Sequence, residues 1–146
     1  MFVGMVVSTI LVLITVLIHY EVLRITSIWL PHLMLPPRQR IIAVIITAFF
    51  AHTLEVWMHA TAYYLLTGHF GIGTFGGALE NHFGDYLYFS TSTYTSLGYG
   101  DIYPQGGLRL MAGVEALTGL LMIGWSASFT YLQMEKFWDQ HPRRRK

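Results

Sequence analysis

The sequence predicts an all-α membrane protein with three transmembrane helices and one short re-entrant helix. Two features carry this expectation. Apolar runs at residues 1–20, 41–66 and 108–132 each reach the ~20 residues that a bilayer core requires. Between the second and third runs lies a helical stretch too short to span, which ends in glycines alternating with bulky residues. Composition agrees with a membrane setting. Of 146 residues, 53% are hydrophobic and 12% charged, with mean hydropathy +0.47. A water-soluble domain carries about twice that share of charge.

The first span, MFVGMVVSTILVLITVLIHY, contains no charge and is expected to continue as helix to about Leu30. It lacks the basic start and small-residue cleavage site of a secretory signal, so it is read as a retained helix. Glu21 and Arg24 lie three apart and can pair on one face at the interface, where His19, Tyr20 and Trp29 also fit. Pro31 and Pro36-Pro37 then stop the helix, and residues 31–40 form a link ending in Arg38-Gln39-Arg40.

The second span covers residues 41–66. A loop follows that is rich in glycine (Gly68, Gly71, Gly73, Gly76, Gly77) and carries no lysine or arginine, and it reads as flexible. A short helix is expected over residues 85–95, then a loop over 96–101 and the third span over 108–132. The chain closes in a basic tail, residues 134–146, ending HPRRRK. Basic residues concentrate in the link and the tail. The positive-inside rule therefore puts both in the cytoplasm, with the N-terminus and the glycine-rich loop outside. No arginine ladder marks a voltage-sensor helix. Cysteine is absent, so disulfides and thiolate metal sites are excluded.

Thr95-Ser96-Leu97-Gly98-Tyr99-Gly100-Asp101 is the most informative stretch. It resembles the signature filter of potassium channels, Thr-x-Gly-Tyr-Gly-Asp, with Ser96 in the usual threonine place and Leu97 in the usual valine place. The likeness continues into Ile102-Tyr103-Pro104, which is similar to the filter exit of simple bacterial potassium channels. It extends back through the hydroxyl-rich Ser90–Thr95. The helix–pore loop–helix layout of that family fits residues 41–133, leaving residues 1–30 as an additional N-terminal helix.

The resemblance implies a homotetramer around a central pore, with potassium as the permeant ion and a bacterial inner (cell) membrane as the location. It implies that carbonyls at Ser96, Leu97, Gly98 and Tyr99 replace the ion's water shell, with the Ser96 hydroxyl completing the innermost site. Ser96 lacks the methyl that stiffens threonine's rotamer, which suggests a softer innermost site. Leu97 and Tyr99 are then expected to point into the scaffold, Tyr99 bracing it through its hydroxyl, while Gly98 and Gly100 supply unusual backbone angles. Thr95 sits at the end of the pore helix, whose carbonyl end carries partial negative charge toward the membrane centre. Many family members brace the carboxylate matching Asp101 with a pore-helix glutamate. Ser92 occupies the matching position, so that carboxylate pair is absent here. Gly119 matches the family's inner-helix hinge after a one-residue gap. Gly119 and Gly124 are thus candidates for bending, with close packing of small residues as the competing reading. Ser126, Ser128 and Thr130 are placed at the inner mouth.

Several ionisable residues fall inside the spans. His52, Glu55 and His59 share a face of the second, and Glu115 sits on the third. Three readings compete: a hydrogen-bonded packing network, a proton-sensitive switch, and a metal site built on His-x-x-Glu-x-x-x-His. The tail Arg143-Arg144-Arg145-Lys146 can touch anionic lipid heads at roughly 1 kcal/mol per basic residue. No nucleic-acid partner and no enzymatic activity are expected. Selective potassium conduction therefore leads. A weakly selective cation channel, a non-conducting regulatory subunit and a membrane metalloenzyme stand as alternatives.

Overall fold

The computed structural model describes residues 2–139. Helix α1 runs Phe2–Trp29 and tightens into a 3₁₀ turn at Leu30–His32, where Pro31 ends it. Helix α2 runs Pro37–Gly68, strand β1 Thr74–Gly77, helix α3 Phe83–Tyr94, strand β2 Ile102–Gln105 and helix α4 Leu108–Asp139. Three of these helices are long and apolar enough to cross a membrane. At 1.5 Å per residue the 32 residues of α2 and of α4 extend about 48 Å, well beyond a ~30 Å hydrocarbon core. The chain is an all-α integral membrane protein, with one small two-stranded ladder added.

Both long helices exceed the apolar runs that announced them. A proline's missing N–H costs nothing in a first turn, so α2 starts four residues before Ile41. The third span was expected to end at Leu132, but α4 continues to Asp139, carried on by the good helix formers Gln133-Met134-Glu135-Lys136. The tail beyond 139, with Arg143 to Lys146, lies outside the described residues.

Helix α1 packs along both α2 and α4 through one stripe: Gly4, Ser8, Leu11, Thr15, His19 and Leu23. Steps of three and four keep that stripe on a single face. Gly4 sits where a methyl would lie 3.3 Å from the Gly107 carbonyl. Ser8 returns its hydroxyl to the Gly4 carbonyl (2.8 Å). The expected Glu21–Arg24 pair forms at 2.7 Å, half-exposed. His19, expected at the interface, is instead fully buried.

The glycine-rich loop is not the flexible link that its composition suggests. Its Thr74–Gly77 segment pairs antiparallel with Ile102–Gln105, with Phe75 opposite Pro104 and Gly77 opposite Ile102. Gly77 has φ +94°, and a methyl there would fall 1.7 Å from the Asp101 carbonyl oxygen. The next amide, Ala78, donates to that same oxygen (3.0 Å). These glycines let β1 lie close enough to hold the segment that follows Asp101. Gly77→Ala combines backbone strain with a steric clash at a surface strand that can shift outward. A loss of about 2 kcal/mol is expected, read as a lowered thermal midpoint in detergent by circular dichroism.

Behind the loop lies an aromatic cluster. Phe75 meets Phe89 edge-on at 4.8 Å and Tyr86 at 5.6 Å, and Tyr63 meets Phe89 at 5.2 Å. Such tilted contacts suit the ring quadrupoles. The core therefore sits between α2, α3 and the start of α4, directly behind residues 96–101.

Candidate functional site: the re-entrant helix, its loop and two buried polar clusters

The short helix is built to end where it does. At its start, Asp85 Oδ2 accepts the backbone amide of the N-cap residue His82 (3.3 Å) and that of Glu80 in the preceding loop (2.9 Å), which caps the helix and fixes the chain entering it. At its end, Ser96 adopts φ +58°. The Ser96 amide donates to the Thr93 carbonyl (3.0 Å), and the Leu97 amide to the Ser92 carbonyl (3.0 Å). This pair of bonds is a Schellman motif, which usually takes glycine at the left-handed position. Serine occupies that position here. Ser92 thus supports the loop through its backbone carbonyl, which the Gly98 amide also approaches (3.3 Å). Thr95 folds its hydroxyl back onto the Thr91 carbonyl (2.8 Å).

Positive φ recurs at Gly98 (+103°), so Ser96 and Gly98 alternate with Leu97 and Tyr99. Gly100 does not share it, contrary to expectation. A methyl there would lie 2.9 Å from the Tyr88 hydroxyl, the movable end of a half-exposed side chain, so space does not by itself demand glycine. Tyr99 stacks flat on Phe89 (5.7 Å, 14°), so the aromatic cluster braces it through its ring. Leu97, expected to point into the scaffold, is 84% exposed on this single chain.

Glu115 reaches from α4 to the back of the re-entrant helix. The Tyr63 hydroxyl on α2 donates to its Oε2 (2.7 Å), and Ser90 Oγ on α3 lies 2.6 Å from its Oε1. Ser90 Oγ also lies 2.9 Å from the Val56 carbonyl. One carboxylate therefore ties three helices together, fully buried.

A second cluster gathers around Glu55. Its Oε1 lies 2.9 Å from His19 Nδ1, and its Oε2 accepts the Tyr94 hydroxyl. Tyr94 Oη lies 2.9 Å from His52 Nδ1. Ser126 Oγ closes the circuit, 3.0 Å from His19 Nε2 and 3.1 Å from His52 Nε2. These five residues come from all four helices. His59 does not join them; its Nδ1 bonds the Glu55 backbone carbonyl one turn back (2.9 Å). Neither does Glu115. The four ionisable residues expected in the spans therefore divide among two clusters and one local helix contact.

Residues 41–136 match the family described as Ion channel. The chain belongs to the ion-channel family. The match begins within α2 and runs to Lys136 in α4, so it covers the re-entrant helix and its loop and leaves α1 outside. Comparison with curated proteins and with solved structures finds no match.

Within the ion-channel unit, Gly119 and Gly124 differ sharply. A methyl on Gly119 would lie 2.1 Å from the Tyr94 carbonyl oxygen, at the end of the re-entrant helix; a methyl on Gly124 would meet nothing within 4 Å. Close packing thus accounts for Gly119, and α4 runs unbroken through both positions. Ser126, expected at the inner mouth, is buried in the Glu55 cluster. Sequence reasoning missed His19, Tyr94, Tyr63 and Ser90 as partners of the buried carboxylates. For His19 a signal existed: it continues the steps of three and four set by Ser8, Leu11 and Thr15 on α1.

Proposed function

We propose that this member of the ion-channel family conducts potassium passively and selectively through a pore made by four copies of the chain. The observation that carries the reading is the loop Thr95–Asp101, which leaves a re-entrant helix with positive φ at alternate residues, Ser96 and Gly98. Alternation of this kind turns successive carbonyls toward one side, as an ion that has shed its water shell requires. Carbonyls of Ser96, Leu97, Gly98 and Tyr99 would line the path, with Thr95, Gly100, Asp101 and the Ser92 carbonyl supporting them.

Two further observations support assembly. One loop cannot surround an ion, and Leu97 stands 84% exposed with no cover from its own chain. A neighbouring copy would supply that cover. The carbonyl ends of four α3 helices would add partial negative charge beneath the filter and favour a cation there. The link with Arg38 and Arg40 and the basic tail would face the cytoplasm of a bacterial cell, where the tail meets anionic lipid. The N-terminus and the loop would face outward. Gly124, free of close neighbours, would permit bending of α4 in gating, while Gly119 would keep α4 against the end of α3. No reaction is assigned to the chain.

The test is ion flux through the purified protein in liposomes. Barium-sensitive potassium flux without sodium flux is expected. Equal flux of both ions would make it a weakly selective cation channel and direct attention to the missing methyl of Ser96. No flux, together with a monomer in detergent, would make it a non-conducting subunit.

A further inference from the structure

With Glu55 ionised, its cluster is one proton short of the contacts it makes. The circuit comprises five contacts: Glu55–His19, His19–Ser126, Ser126–His52, His52–Tyr94 and Tyr94–Glu55. Each contact needs one proton. With Glu55 ionised and both imidazoles neutral, the available protons are one each on His19, His52, Ser126 and Tyr94, so four serve five contacts. The same state leaves a net negative charge in the interior. An unpaired buried charge is costly, so the cluster calls for one more positive charge.

Its geometry suits a metal ion. Ligand atoms of His19, His52 and Glu55 all lie within 4.8 Å of one another, and the His19 and Glu55 side chains are fully buried. His19 Nδ1 and His52 Nδ1 stand 2.9 and 3.5 Å from the two carboxylate oxygens. Four ligands around a zinc-like ion sit about 3.3 Å apart, given bonds of ~2.0–2.1 Å. Tyr94 Oη, beside both His52 Nδ1 and Glu55, offers the fourth donor as its phenolate; release of that proton to solvent on metal binding leaves the ion's two charges balanced by Glu55 and Tyr94. The remaining nitrogens are also placed correctly. Both Nε2 atoms face Ser126 Oγ, whose two lone pairs accept from both. That fixes both imidazoles with Nδ1 free to ligate, the outer-shell arrangement that metal-binding histidines normally have. His52 and Tyr94 also line a groove of about 330 Å³, shared with Val56, Trp57 and Leu87, on one side of the cluster.

We propose that His19, His52 and Glu55, with Tyr94 completing the shell, bind one divalent transition-metal ion of the zinc class per chain. All four positions are then filled by protein, which makes the ion structural. It fastens α1, which lies outside the family match, to α2 and to the last residue of the re-entrant helix.

The experiment uses the full chain in detergent, stripped with EDTA and titrated with zinc, and with cobalt as the spectroscopic substitute. One ion per chain is expected by elemental analysis, with the intense visible bands of four-coordinate cobalt. Zinc should raise the thermal midpoint. His19→Ala and Glu55→Gln should abolish stoichiometric binding, and Ser126→Ala should weaken it 10–100-fold. His69→Ala should bind as the wild type does, because His69 is exposed at the C-terminal end of α2 with its ring against Tyr64. Absence of bound metal from the wild-type protein would overturn the proposal and leave a proton as the missing charge. Binding that survives His19→Ala, or is lost in His69→Ala, would overturn it too. The readout is metal content, so it holds whether or not the pore conducts.

Discussion

Gly119→Ala is expected to destabilise the protein by about 3 kcal/mol or more, the largest effect of any single added methyl in the membrane-spanning part. The new carbon would sit 2.1 Å from the Tyr94 carbonyl oxygen, 2.9 Å from the carbonyl carbon and 3.0 Å from the base of the Tyr94 ring. Overpacking usually costs 1–3 kcal/mol because something nearby gives way. Here little can. The Tyr94 hydroxyl is held by Glu55 and His52, so α3 cannot retreat without breaking that cluster. Helix α4 must move instead, and its Met122 then leaves the packed group it shares with Val56 and Tyr94. Gly124→Ala is the internal control. Its added carbon meets nothing within 4 Å, and alanine favours helix over glycine by about 1 kcal/mol, so equal or greater stability is expected. Thermal midpoints in detergent decide the matter. A Gly119→Ala protein melting with the wild type would show that the two helices do not meet as closely as described. Gating changes in Gly124→Ala at unchanged stability would point instead to bending.

Much of the fold was legible because membrane-spanning segments announce themselves by long stretches almost free of charge. Residues 1–20, Ile41–Leu66 and Leu108–Leu132 all fall inside observed helices, apart from Met1, which lies outside the described residues. Two features were not legible, for different reasons. Helix ends depend on capping and on polar residues that extend a helix past its apolar part, as at Pro37 and at Gln133–Asp139. The glycine-rich loop misled for a deeper reason. Glycine in a sequence reports conformational freedom, not what approaches the backbone. Gly76 and Gly77 are there because Tyr103 and the Asp101 carbonyl press against them, a fact that lies some twenty-five residues further along the chain.

The buried polar residues divide in the same way. Periodicity on α2 put His52 and Glu55 on one face, and they do meet in one cluster. It also put His59 there, but one turn away that side chain finds its own helix's carbonyl. Periodicity describes a face of one helix and is silent about what the neighbouring helices bring to it. Glu55 takes its partners from α1, α3 and, through the histidines, α4. None of these is near it in sequence, and His19 and Ser126 are joined across 107 positions.

Glu115 offers the sharpest test of how such a cluster is held. Glu115→Leu should cost about 2–3 kcal/mol, since it orphans one buried hydroxyl while Ser90 keeps the Val56 carbonyl. It leaves the buried Tyr63 hydroxyl without its acceptor and removes the link between Ser90 and α4. Each orphaned buried group costs roughly 1–3 kcal/mol. Glu115→Gln should stay within about 1 kcal/mol of the wild type, and the reason lies in the proton inventory. The glutamine carbonyl accepts from Tyr63, its amide donates to Ser90 Oγ, and Ser90 then donates to the Val56 carbonyl, 2.9 Å away. All three contacts are filled without a charge. A double-mutant cycle isolates the pair. Tyr63→Phe should be costly in the wild type and nearly free in Glu115→Leu, because the acceptor is already gone. Equal cost in both backgrounds would mean that the hydroxyl draws its stability from elsewhere. If Glu115→Gln instead fell as far as Glu115→Leu, the carboxylate's charge rather than its hydrogen bonds would be what holds α4 to the re-entrant helix. The cluster would then act as an anion among helix ends rather than as a neutral strut behind the loop.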